Sequence, residues 1–372
     1  MNYLFVVGTR PEVIKVAPVY KRFKETFDDV FLLATAQHRE MMDMMLEVFD
    51  IEPDIDMDLM EAGQTLNSFS SKVLSRIDQV LDEIKPDVVF VQGDTTTALM
   101  VALASFHKGI AVAHIEAGLR SHDLKDPFPE EMNRKLIDDL SEYLFAPTRT
   151  SFENLIREGI SKSRIHLVGN TVVDALEIIR GKYDLSEVRK EVLETNFEYV
   201  LVTLHRRESW GKPMKRILKA IKRFMEETKI RIVFPVHRNP KVRKVVHDIL
   251  DGTQAVLLEP VDYVTFLSLI EGSRFILTDS GGVQEEAPSF GKFVVVARDR
   301  TERPELIDNG LGILAGKEEE GVYRGMIDAL DRKIARSVNP FGDGRASERI
   351  LNFFETGGFD HLEIHTHYNR LD

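Results

Sequence analysis

The sequence predicts an α/β protein of two domains, each a doubly wound parallel sheet. Three observations lead there. Short apolar runs bounded by turn residues recur along the chain, and longer amphipathic stretches separate them, the β-α-β rhythm of sheets buried on both faces. The chain of 372 residues exceeds the roughly 250 to 300 at which one hydrophobic core stops growing. Hydrophobic residues make up 43% and charged residues 30%, a balance that folds rather than remaining disordered.

In the first half, strands are expected at 3–7, 30–34, 88–92, 111–115 and 143–146, with helices at 12–24, 65–84, 95–107 and 130–140. The second half repeats the rhythm with strands at 199–204, 230–235, 255–258, 275–278 and 293–296, and helices at 214–227, 240–250, 265–271 and 283–289. A short strand at 165–168 ends at Gly169-Asn170, which sets the expected domains at 1–169 and 170–343, the second opening with a charged helical connector at 171–195. Residues 344–372 comprise a helix at 344–355, expected to pack back on the first domain, and a poorly patterned tail. Loops at the carboxyl ends of open parallel sheets bind ligands, so both domains are expected to aim those loops into a cleft between them.

A formal charge of -12 argues against a general nucleic-acid or anionic-membrane surface, so an anionic ligand needs a local basic pocket. Without cysteine, disulfides, thiolate catalysis and Cys-based metal sites are excluded. Leu4 to Val7 follows no basic segment and is too short for a signal peptide or a membrane span, so a cytoplasmic protein is expected. His361, His365 and His367 in the tail read as chance clustering rather than a metal site.

The candidate chemistry lies where strands end. Gly8-Thr9-Arg10-Pro11-Glu12, with Lys15 a turn later, forms a strand-to-helix turn. Pro11 suits the first helical position and Glu12 the helix dipole, and Arg10 and Lys15 would welcome a diphosphate. A capped helix with two solvated cations fits the same residues. Gln92-Gly93-Asp94-Thr95-Thr96-Thr97 puts Asp94 at a helix start, where it is expected to act as N-cap. His114-Ile115-Glu116-Ala117-Gly118-Leu119-Arg120 puts Glu116 just past a buried strand, a costly place for a carboxylate that is neither paired nor used. Pro127-Phe128-Pro129-Glu130 then opens a helix after an extended approach. Each acid alone suits ordinary capping. Read together, Asp94, Glu116 and Glu130 are expected on three successive carboxyl-end loops, a convergence that suits proton abstraction and delivery.

In the second half, Leu204-His205-Arg206-Arg207-Glu208-Ser209-Trp210 brings an imidazole and two guanidinium groups to the end of a strand, and His237-Arg238 forms a second basic turn. Ser280-Gly281-Gly282-Val283-Gln284-Glu285-Glu286 is the clearest phosphate signal, because two glycines let the backbone approach an anion and Ser280 adds a hydroxyl. Glu286, one turn on, can accept both hydroxyls of a ribose. A tight turn with a capping serine remains the alternative. Arg298, Arg300 and Arg303 follow the next strand, one to seal a phosphate end and the others to pair with neighbouring acids. The dinucleotide fingerprint G-x-G-x-x-G is absent from the first turn, which disfavours a nicotinamide dehydrogenase.

In their order along residues 3 to about 355, these motifs, with Thr301 to Glu305, resemble the non-hydrolysing UDP-N-acetylglucosamine 2-epimerases. The resemblance implies a GT-B architecture, two Rossmann-like domains around a cleft, usually as a homodimer, with no metal and no cofactor. It implies Arg10 and Lys15 as diphosphate contacts, Asp94 and Glu116 as sugar-side carboxylates, and Glu130 as a further acid or base. His205 falls at the phosphate and leaving-group side, Phe266 at the uracil, Ser280, Gly281 and Gly282 at the pyrophosphate, Glu286 at the ribose, and Arg303 at the nucleotide. The implied reaction eliminates UDP through a 2-acetamidoglucal and adds it back to give the C2 epimer, a precursor of cell-surface polysaccharide. Some members are activated by a second substrate molecule, partly through an arginine before a Gln-Thr-Leu motif; here Gly63 precedes Gln64-Thr65-Leu66, although Gln37, His38 and His237 lie in matching motifs. A GT-B glycosyltransferase, a hydrolysing epimerase and a silent UDP-sugar sensor are the competing readings.

Overall fold

The structure is a computed structural model that describes residues 1–35, 39–61, 63–195, 197–206, 209–332, 334 and 339–357. Two compact units divide the chain: residues 1–179 together with the segment from Phe341 onward, and Arg180–Pro340.

The first unit is built on β1 (Tyr3–Val7), β2 (Val30–Ala34), β3 (Ile55–Asp56), β4 (Val88–Gln92), β5 (Ala111–Ile115), β6 (Tyr143–Ala146) and β7 (Ile165–Leu167). All pair in parallel, in the order β3-β2-β1-β4-β5-β6-β7. Its helices are α1 (Arg10–Thr26), α2 (Arg39–Val48), α3 (Leu66–Ile84), α4 (Thr96–His107), α5 (Glu130–Leu140), α6 (Arg149–Arg157) and α7 (Thr171–Lys182). β1 and β4 are buried along their whole length because every side chain is apolar or, at Gln92, hydrogen-bonded. Phe5 and Phe90 pair across them in register, their rings stacked at 4.3 Å. Thr65 and Thr148 start α3 and α6 by accepting the N–H groups of Ser68 and Ser151.

The second unit contains α8 (Leu185–Leu193), α9 (Lys212–Thr228), α10 (Pro240–Leu250), α11 (Tyr263–Gly272), α12 (Gly281–Glu286), α13 (Pro304–Asp308) and α14 (Glu319–Ala329). Its parallel strands are β8 (Tyr199–Thr203), β9 (Arg231–Pro235), β10 (Val256–Leu258), β11 (Ile276–Thr278), β12 (Val294–Val296) and β13 (Gly312–Leu314), ordered β10-β9-β8-β11-β12-β13. Val200, Val202, Phe234, Phe275 and Val295 of this sheet region pack with Ile217, Phe224 and Met326 of α9 and α14 in one core.

The first unit keeps α7 as far as Ile179, ten residues past the expected boundary at Gly169, because Val172, Val173, Ala175, Leu176 and Ile179 are buried. The expected connector is two helices, α7 and α8, rather than one. From Phe341 the chain returns, and α15 (Ala346–Thr356) packs on α1. There Asp174 accepts the N–H groups of Ala346 (3.2 Å) and Ser347 (2.8 Å), and Arg22 donates to the Ser347 hydroxyl (2.9 Å). Phe354 adds its ring to those of Tyr3, Phe23 and Phe90. β3, β13, α2, α6 and α14 were not anticipated; β3 has only two residues and β13 opens on a glycine, whereas α13 starts at Pro304, as expected.

Both strand orders reverse direction at one point, between β1 and β4 in the first unit and between β8 and β11 in the second. The crevice outside the carboxyl ends of such strands is where open α/β sheets take their ligands.

Candidate functional site

In the first unit the candidate residues follow three adjacent strands, β1, β4 and β5. Glu12 fixes the first turn. Its carboxylate closes a capping box with Thr9, accepting from Gly8 N (2.7 Å), Thr9 N (2.7 Å) and Thr9 Oγ1 (3.0 Å), while its other oxygen accepts from Thr95 Oγ1 (2.6 Å) on the turn after β4. Burial pushes the Glu12 pKa up, and the hydrogen bonds offset only part of that rise. Gly8 is required by space, since a Cβ there would stand 2.4 Å from Thr35 Oγ1. Arg10, at the start of α1, is exposed.

Lys15 is buried and forms an ion pair with Glu116. The same carboxylate oxygen accepts from Gln92 Nε2 at 2.8 Å. Glu116 has φ 71°, a left-handed backbone that non-glycine residues adopt uncommonly and that clusters at functional sites. Its N–H, and that of Ala117, donate to Phe145 O at 3.1 Å, which anchors the turn to β6.

Asp94 does not cap α4. Thr95 has the extended backbone of an N-cap and its hydroxyl accepts from Ala98 N at 3.0 Å, which leaves the Asp94 carboxylate to pair with Arg134 of α5. Asn133 of the same helix donates to Asp94 O at 2.9 Å. Glu130 is the first residue of α5, after Pro127 and Pro129, each preceded by a cis peptide bond. Glu116 and Glu130 therefore stand at the two ends of one connection, between β5 and α5, and Asp94 on another; the expected three loops are two.

Three neighbours escaped the sequence reading. Gln92 contacts Glu116. Glu131, 1% exposed, accepts from Ser121 N and His122 N at 3.0 Å each, tying down the connection in which Glu116 and Glu130 lie. His114, fully buried, places Nδ1 2.7 Å from Asp138 Oδ1 and Nε2 2.8 Å from Gly93 O. A second acid directly after Glu130 was the signal available for Glu131; nothing local marks the contacts of Gln92 or His114.

In the second unit, Asp279 organises the switch point. Fully buried at the end of β11, it accepts from His205 N (3.1 Å), Arg206 N (3.1 Å) and Ser209 Oγ (2.8 Å), with His205 Nδ1 3.4 Å away. His205 thus stands half-exposed after β8, beside the turn that carries Ser280. Arg207 and Glu208 lie outside the described residues. His237 and Arg238 form an exposed turn after β9.

Ser280 precedes α12, and its hydroxyl makes no capping bond to the helix. Arg303 lies against Gly281, where a Cβ would meet its guanidinium carbon at 2.9 Å. That arginine is already paired, donating to Glu285 at 2.8 Å and Glu302 at 3.2 Å. Arg298 holds Glu302 through two bonds, at 2.9 and 3.0 Å. Burial pushes Glu302 up, but Arg298, Arg303 and Arg206 outweigh it and hold its pKa far below the usual carboxylate range. Arg300 is exposed. Glu286, buried, accepts from Tyr263 OH at 2.8 Å. Phe266, half-buried, follows Tyr263 by three residues on α11.

A protein-family model described as UDP-N-acetylglucosamine 2-epimerase matches residues 21–355. The chain belongs to that family. It is 44% identical to the UDP-N-acetylglucosamine 2-epimerase of Escherichia coli K12, covering 94% of this chain and 97% of the relative. To the enzyme of the same name from Bacillus subtilis 168 it is 43% identical, over 94% of each. Among solved structures it is similar to the Neisseria meningitidis UDP-GlcNAc 2-epimerase bound to UDP-GlcNAc, with a TM-score of 0.88 and 38% identity over 96% of this chain and 100% of that one. The Methanocaldococcus jannaschii enzyme in complex with UDP-GlcNAc and UDP gives 0.84 and 38% over the same shares. The fold is accordingly GT-B-like, and the chain is an epimerase. Gln37 and His38 lie outside the described residues, while Gly63, which stands where an arginine was the expected activation contact, sits in a turn at φ 80°. His361, His365 and His367 also lie outside them; among the described residues no three His, Asp or Glu gather as a metal site, and no helix is long and apolar enough to cross a membrane.

Proposed function

We propose that the chain interconverts UDP-N-acetylglucosamine and UDP-N-acetylmannosamine by eliminating UDP across C1–C2 and adding it back. A base takes the C2 proton, the C1–oxygen bond breaks with its electron pair passing to the β-phosphate of UDP, and a C1–C2 double bond forms. Protonation at C2 from the other face and attack of the phosphate oxygen on C1 complete the epimer. The observation that carries this reading is Glu116, a carboxylate held on left-handed backbone against Lys15 and Gln92 at the strand ends where Asp94 also stands.

Asp94, Glu116 and Glu130 serve the protons in this reading, and Arg10 and Lys15 the diphosphate. In the second unit Ser280, Gly281 and Gly282 take the pyrophosphate, His205 the leaving-group side, Glu286 the ribose and Phe266 the uracil. The uncapped Ser280 hydroxyl supports the first assignment, and the Tyr263–Glu286 bond, with Phe266 on the same helix as Tyr263, the last two. Arg303, held by Glu285 and Glu302, presents a fixed guanidinium to the Gly281 turn. The relatives bound to UDP-GlcNAc and UDP support the ligand class. A cytoplasmic homodimer supplying cell-surface polysaccharide precursors is the setting we assign.

Incubation with UDP-N-acetylglucosamine in heavy water tests the reaction. Deuterium at C2 of sugar still joined to UDP is the expected outcome. An unexchanged C2 would refute the reading in favour of a transferase or a binding protein, and free N-acetylmannosamine would indicate a hydrolase.

A further inference from the structure

All three candidate acids hang on backbone that meets one buried side-chain pair. His114 and Asp138 are both 0% exposed. The His114 ring reaches from β5 to Gly93 O (2.8 Å), the carbonyl directly before Asp94. Its other nitrogen reaches Asp138 Oδ1 (2.7 Å) on α5, the helix that begins at Glu130 and supplies Arg134 to Asp94. Asp138 Oδ2 accepts from Gly118 N at 3.3 Å, two residues past Glu116, and lies 2.7 Å from Arg120 Nη2. Arg120 in turn pairs with Glu158 at 2.6 Å, where Lys135 joins at 3.0 Å.

We propose that His114 and Asp138 are positioning residues that set the spacing of the Asp94 and Glu116 turns and the start of α5 for proton transfer at C2. The inference rests on the epimerase reading. Neither side chain needs to touch substrate. The His114 ring spans Gly93 O and the Asp138 carboxylate from opposite edges of one rigid plane, so the two nitrogens tie the two partners at a fixed separation. A buried pair already committed on both sides resists the small shifts that proton transfer does not tolerate, since a misplacement of about 1 Å can cost about 100-fold in rate. Lys15 and Gln92 fix the Glu116 carboxylate itself; the buried pair fixes the backbone beneath it.

The test compares His114→Phe, which keeps an aromatic ring and removes both nitrogen contacts, with Asp138→Asn, which keeps the shape and turns one acceptor into a donor. Ile137→Ala, a fully buried core change on the same helix, is the control for loss of stability alone. For each, kcat and KM are measured per folded molecule, with UDP affinity by calorimetry and folding by circular dichroism. The expected result is a fall in kcat of about 100-fold in the first two variants, with KM and UDP affinity within about threefold of the parent and the control near parental kcat. Parental kcat in either folded variant, parallel loss of UDP binding, or an equal fall in Ile137→Ala overturns the proposal. So does failure of both variants to fold, which would make the pair a folding element only. If the parent itself exchanges no deuterium at C2, the epimerase reading fails; if the parent is active and the variants match it, only the positioning role does.

Discussion

Glu116 carries two costs at once, a left-handed backbone and a buried charge, and neither would persist in a surface acid with no task. Replacing it by Gln keeps the shape and a hydrogen bond to Lys15 while removing the base. Glu116→Gln is expected to lower kcat by about 10²- to 10⁴-fold in a coupled UDP-N-acetylglucosamine assay, with circular dichroism unchanged; a loss smaller than threefold would rule out a proton-transfer role. Glu158 supports the same region from further out. Burial pushes its carboxyl up, but hydrogen bonds from Arg120 and Lys135 outweigh that and bring it from an ordinary 4.5 to about 2. As pH falls through that window the unfolded chain takes up the proton first, so the stabilisation is complete above about 4.5 and lost towards about 2. Thermal melts across the window should therefore show a shallower acid decline for Glu158→Gln than for the parent. The residue types of the site were readable, because Asp94, Glu116 and His205 follow apolar runs and Glu130 opens a helix after two prolines. Their partners were not: Lys15 and Glu116 are 101 positions apart, and Asp94 and Thr95 are both good caps, so only the backbone at Thr95 decides that it takes the helix and frees Asp94 for Arg134.

Among the elements, the connection from β5 to α5 is the most constrained. Gly118, at φ 85°, brings its Cα so close to α6 that a Cβ would stand 2.3 Å from Ser151 O, and its own carbonyl accepts from Asn154 Nδ2 at 3.0 Å. Gly118→Ala must move backbone rather than a side chain, and should cost roughly 3 kcal/mol or more, read as the shift of the urea midpoint at constant slope. A change below about 1 kcal/mol would mean that the turn yields without penalty. Strands were the readable elements: β1, β2, β4, β5 and β6 match the apolar runs to the residue, because a strand buried on both faces tolerates little else. The edge strands β3 and β13 were hidden, β3 because it has only two residues and β13 because it opens on a glycine, and each is held by the one neighbour it pairs with.

For the whole molecule, the sequence order and the structural order differ. The first unit is completed by α15, whose Ser347 binds Asp174 and Arg22 and whose Phe354 joins the rings of Tyr3, Phe23 and Phe90. Truncation after Arg345 removes these contacts, and the first unit should then melt well below its full-length temperature while the second keeps its own transition. Hydrogen exchange by mass spectrometry would resolve the two, with faster exchange in β1 and β4 and unchanged protection in β8 and β11; a uniform effect would contradict the division. The two-domain count was legible from length and rhythm. The assignment of the last helix was only an expectation from position, because the contact that decides it joins residues 22 and 347.

That return of the chain has a consequence during synthesis. A ribosome releases residues 1–179 long before the segment from Phe341 exists, so the half made first is the half that must wait, with the aromatic surface later covered by Phe354 open to other contacts. The second unit, made in between as one continuous stretch, has every residue it needs before translation ends. For a nascent chain, α15 therefore acts as a completion signal for strands made long before it.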